Sequence, residues 1–134
     1  MWRESKGFSL IELMVALSVI VIIGTASFSA FRSSRKNSRD AKRTGDLTAL
    51  QQAFEQYYAV NGIYTACTTM GTAFIQGEFP TDPSGGGDYA GVGACTANTY
   101  CVCAQLEIVG RGNSTVNDCT NFASGDWYCV QNQQ

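Results

Sequence analysis

From Phe8 to Phe31 the chain runs 24 residues with a single charge, Glu12. At 1.5 Å per residue, a helix of that length crosses the ~30 Å hydrocarbon core of a bilayer. It is apolar all round, which excludes the half-buried surface helix of a soluble domain. Glu12 is the anomaly. A charge at the centre of a span costs on the order of 3 kcal/mol, so an acid placed there requires a partner. A plain single-pass anchor needs no such residue. An ordinary export signal would have an apolar stretch of about 7–15 residues. "GTA" (Gly24 to Ala26) could end one, but Glu12 would be superfluous to it.

The 134 residues leave about 100 for a fold once that run is set aside, enough for one small, thin core. Charge is segregated. Arg32, Arg35, Lys36, Arg39, Lys42 and Arg43 fall in one twelve-residue window with a single acid, Asp40. From Thr44 onward there are eight acids against one base, Arg111, a net charge of −7 that argues against a nucleic-acid partner. With no histidine, the commonest general base and metal ligand is missing. Six cysteines (Cys67, Cys95, Cys101, Cys103, Cys119 and Cys129) all follow the apolar run. An even number in a thin-cored region reads as three disulfides in an oxidising compartment, with the pairing open among 15 connectivities. A Cys-ligated zinc site is the rival, though "CVC" (Cys101 to Cys103) lacks the usual two-residue ligand spacing.

Past Phe31 the pattern turns amphipathic without a turn signal. Leu47, Leu50, Phe54, Tyr57 and Tyr58 recur at spacings of three and four, and Asn61-Gly62 stops the run, which predicts one helix over about 8–60. "FPTDPSGGGDYAGVGACTANT" (Phe79 to Thr99) holds both prolines and five glycines and reads as loop. Strands are expected over Thr99 to Val109 and Asp126 to Asn132, with a third candidate near Thr72 to Gly77. The fold class is therefore α+β, a long N-terminal helix packed on a small antiparallel sheet and stapled by disulfides.

The stretch "KGFSLIELMV" (Lys6 to Val15), after a short leader with basic residues, resembles the prepilin signal of type IV pilins and type II secretion pseudopilins. "DLTALQQAFEQYYAVNGIYT" (Asp46 to Thr65) is similar to the helix end of pilins near the major pseudopilin, so the likeness covers about residues 1–65. It implies a leader at 1–7 cut by the prepilin peptidase after Gly7, N-methylation of Phe8, a membrane and filament-core helix at 8–31, an amphipathic continuation at 32–60 and a Cys-rich globular domain at 61–134. It also implies a homo-oligomeric helical filament, built through an inner-membrane assembly platform; the absent histidine and the lack of a catalytic constellation argue separately against an enzyme. There Glu12 would pair with the terminal amine of a neighbour. The pseudopilin of a secretion or DNA-uptake machine is the alternative within the family; a disulfide-rich secreted or anchored binding module is the one outside it. Two departures stand out. Ser29 occupies the place of a common helix proline, and Tyr64-Thr65 replaces the usual Tyr-Pro.

Six basic residues just beyond a span have two readings, a collar on anionic lipid or a stripe that meets the acidic domain of a neighbouring subunit. By the positive-inside rule they would draw the C-terminal part into the cytoplasm. The cysteines and the leader place it outside, as a single-pass chain later drawn into an extracellular or periplasmic filament. Asp82 and Asp88 are weak calcium candidates, because Asp is also a common former of Gly-rich turns. No other cofactor is expected. "NST" at Asn113 matches a glycosylation pattern that arises readily by chance.

Overall fold

The computed structural model describes residues 7–74, 79–87, 89 and 94–134. Helix α1 (Leu10–Asn61) is followed by a short helix α2 (Cys67–Phe74) and strands β1 (Cys101–Gln105) and β2 (Trp127–Gln131). Two compact units divide the chain, Met1–Arg35 and Lys36–Gln134.

In the N-terminal unit, the Leu13 amide donates to the Ser9 carbonyl at the head of α1. Glu12 lies in the first turn, where the helix dipole favours an acid. The hydroxyls of Ser18, Thr25 and Ser27 donate to the carbonyls of Val15, Ile22 and Ile23. Their polarity is thereby consumed within the helix, so they add little cost in an apolar medium.

The C-terminal unit is built on one face of α1. Leu47, Leu50 and Phe54, spaced by three and four, are fully buried with Tyr64, Met70 and Val102. Tyr100 meets Phe54 edge to face at 4.9 Å between ring centroids and Tyr64 at 5.1 Å, the geometry that ring quadrupoles prefer. Glu55, one position beyond Phe54, receives the hydroxyls of Tyr100 (2.8 Å) and Tyr64 (3.1 Å) and the amide of Gln133. Burial first and the Glu55 carboxylate second push the Tyr64 phenol up to about 12. Helix α1 ends where Gly62, at φ +73°, donates to the Tyr58 carbonyl, a left-handed stop that only glycine enters freely.

Strands β1 and β2 pair antiparallel with Cys103 opposite Cys129. Residues 112–114 flank the start of β2 through bridges Gly112 to Gly125 and Ser114 to Trp127. A side chain on Gly112 would run into the Trp127 backbone, which explains the glycine. Strand β1 is shorter than the sequence suggests, since the amides of Glu107 and Ile108 turn away to the Asp40 carboxylate. The third strand candidate is corrected: Thr72 to Phe74 are helical in α2, and the remainder lies outside the described residues. Eight residues are too few for a helix stable by itself. Here Met70 is inserted into the core and Cys67 is tied to Cys95, so tertiary contacts override propensity.

All six cysteines are bonded, as Cys67–Cys95, Cys101–Cys119 and Cys103–Cys129. Peptide mapping of the unreduced protein is expected to recover those three pairs and no alkylatable thiol. A Cys101–Cys129 or Cys103–Cys119 crosslink would contradict the arrangement.

Candidate assembly surface

Every described side chain from Phe8 to Phe31 is exposed in the single chain, with Phe8 at 81%. Thirteen further large apolar residues lie open between Leu10 and Phe31. Burying a Leu, Ile, Val, Phe or Met side chain is worth ~1.5–3 kcal/mol, so together they represent on the order of 20–40 kcal/mol. That exceeds the 5–15 kcal/mol stability of a typical domain, and it also exceeds the cost of burying Glu12. This surface is built to be covered. Gly7, just before it, has open space where a Cβ would stand, so no described residue packs against that position.

The basic window, read from sequence as one stripe of six, divides in two: Arg39 and Arg43 face carboxylates of their own domain. Arg43 is only 4% exposed and Asp40 5%. The Arg43 guanidinium donates to both oxygens of Asp82 (2.7 and 3.0 Å), to Asp40 (2.7 Å), to Glu107 (3.2 Å) and to the Ser84 hydroxyl (2.6 Å). Arg39 makes a two-pronged pair with Glu107 at 2.5 and 2.7 Å. Hydrogen bonds from Arg43 hold the Asp82 carboxyl down at about 2, and those from Arg39, then Arg43, hold Glu107 at about 2. A sequence signal for this existed: Arg39, Arg43, Leu47, Leu50 and Phe54 continue one another at spacings of four and three, so the two arginines share the helix face that carries the core. Arg32, Arg35, Lys36 and Lys42 remain exposed.

The description "prokaryotic N-terminal methylation motif" belongs to the family matched by residues 2–28. Over 114 residues, 85% of this chain and 79% of the other, the sequence is 28% identical to the type IV wide pilus major component PilA4 of Thermus thermophilus. The chain is type IV pilin-like. No solved structure matches it.

In this pilin-like chain, Asp82 is no free calcium ligand, since Arg43 engages both of its oxygens and the Ser84 amide adds a bond at 2.7 Å. Asp88 lies outside the described residues. Sulfurs of Cys101, Cys103 and Cys119 cluster within 4.8 Å of one another, yet each is spent in a disulfide and offers no thiolate to zinc. Asn113 is likewise occupied. Its amide nitrogen donates to the Cys129 carbonyl at 2.9 Å and its oxygen accepts from the Cys129 amide at 2.7 Å, so the side chain pins β2.

Removing Arg43 takes the guanidinium from buried Asp40 and partly buried Asp82, while Glu107 keeps Arg39. In detergent-solubilised full chain, Arg43→Ala is expected to lower unfolding free energy by ~3–5 kcal/mol, and the more exposed Arg39→Ala by clearly less, as read by urea titration. Acid should act on the same cluster. Asp82 and Glu107 titrate lower folded than unfolded, so their contribution is complete above pH about 4.5 and is lost as pH falls toward about 2. The midpoint in urea should drop over that window in wild type and by less in Arg43→Ala, which loses the Asp82 part while Glu107 keeps Arg39.

Proposed function

We propose that the chain is a structural subunit that polymerises into a type IV pilus or a related filament. The leader 1–7 is removed by the prepilin peptidase after Gly7, Phe8 becomes the methylated N-terminal residue, and the apolar half of α1 spans the membrane before it is drawn into the filament core. The observation that carries this reading is the apolar helix whose described side chains are all exposed, with one acid in its first turn. Lipid can cover such a surface in the unassembled subunit, but lipid leaves Glu12 without a counter-charge. A neighbouring copy supplies both apolar cover and, after cleavage, a free amine at Phe8. A charge pair in low dielectric is tolerated only when both members are satisfied. Assembly by matching Glu12 to that amine therefore favours correctly processed subunits.

The motif match over residues 2–28 and the pilus role of the relative support the reading and favour a pilus over a pseudopilus. The open space around Gly7 fits a residue kept small for an external peptidase rather than for packing. Transport to the growing end would require the inner-membrane assembly platform, with the disulfide-bonded domain outside the cytoplasm.

Intact mass and N-terminal sequencing of protein from native cells test the processing step, with a start at methylated Phe8 expected. A start near Ser27 would instead indicate ordinary signal cleavage. Glu12→Ala should leave that mass unchanged apart from the substitution while sheared filament yield drops at least tenfold. Wild-type yields would refute the pairing.

A further inference from the structure

The two arginines that the domain leaves unused have a distinctive setting. Arg32 places its guanidinium 4.8 Å from the centroid of the Phe28 ring, and Arg35 does the same at 4.5 Å over Phe31. Helical side chains lean toward the N-terminus, so each cation reaches back over the turn that closes the apolar run. The two pairs are offset by three residues and share a helix face. Phe28 and Phe31 stand 60% and 55% exposed. Among the described residues of the N-terminal unit the sole carboxylate is Glu12, twenty positions before Arg32, or about 30 Å by helical rise. Arg39 and Arg43 meet carboxylates of their own unit; among the described residues of the N-terminal unit, Arg32 and Arg35 pair with none.

We propose that the paired Phe28/Arg32 and Phe31/Arg35 form a binding site for anionic phospholipid headgroups at the membrane surface where the span ends. The rings occupy the boundary of the hydrocarbon, and their faces hold the guanidiniums level with the phosphates. Each guanidinium retains N–H donors at its edge, in a fork that matches two phosphate oxygens. Stacking on a ring fixes the cation without neutralising it. The site holds the unassembled subunit at a set depth, with Glu12 at a set level inside the bilayer. This inference rests on the reading of residues 8–31 as a membrane span.

The test uses detergent-solubilised full chain, titrated with phosphatidylglycerol or phosphatidylcholine and followed by native mass spectrometry. A basic residue near an anionic surface contributes about fivefold, so two give an expected preference for phosphatidylglycerol of roughly 25-fold. Arg32→Gln/Arg35→Gln should bring the two lipids near parity. Phe28→Leu/Phe31→Leu keeps the charge and the apolar area while removing the rings, and should fall between. An unchanged preference in the arginine variant overturns the site. So does an equal loss in Lys36→Gln/Lys42→Gln, which would mean diffuse charge rather than the stacked pairs. Alkaline extraction of cell membranes separates the two readings. Protein released at high pH would refute the span and this site with it, whereas retained protein without lipid preference would refute the site alone.

Discussion

A guanidinium taken almost wholly out of water organises the C-terminal unit. Arg43 reaches Asp82 in the Pro- and Gly-rich loop, Glu107 just after β1, and Asp40 one turn earlier on its own helix. Asp40 in turn accepts the amides of Glu107 and Ile108, so the two ends of the network close on each other. Burying such a group is unfavourable unless every charge is met, and an ionic cluster of this kind is weak evidence for stability. Its effect is on position. Two segments of little regular structure are held against α1 in one register, because any other would leave a carboxylate or the guanidinium uncompensated.

What the ion cluster does at one end of the domain, sulfur and aromatic contacts do elsewhere. A two-stranded sheet of five-residue strands is marginal by itself. It persists because Val102 and Val130 lie against the α1 face and because Cys103 and Cys129, direct partners in the ladder, are bonded. Cys101–Cys119 fastens the long excursion between the strands, where Cys119 takes a left-handed φ of +56°. Each native bridge in a small domain is commonly worth 2–5 kcal/mol, comparable with all that so thin a core can supply. Glu55 draws Tyr64, Tyr100 and the Gln133 amide to one carboxylate, adding direction to contacts that apolar packing alone would leave loose.

The same helix serves two environments. From Lys36 on, α1 contributes side chains to a core within its own domain. Before that, its described side chains stand exposed, and Ser18, Thr25 and Ser27 fold their hydroxyls onto their own backbone. This division gives the basic window its two characters: arginines that face carboxylates of the domain, and arginines that rest on phenylalanine at the end of the apolar run.

The apolar run, its single acid, the α1 boundaries and the confinement of the cysteines to the domain were legible in the sequence, because each depends on local composition or helical period. The observed α1, Leu10–Asn61, lies close to the 8–60 read from spacing alone. Cysteine pairing, the helical state of 67–74 and the inward turn of Arg39 and Arg43 were decided by tertiary structure. Those depend on which distant residues meet: Cys67 with Cys95, Met70 with the α1 face, Arg43 with Asp82 thirty-nine positions away. A local pattern marks a cation as outward by default, since an exposed charge is the cheaper state. Only the arrival of Asp82 and Glu107 on the same side of α1 reverses that balance.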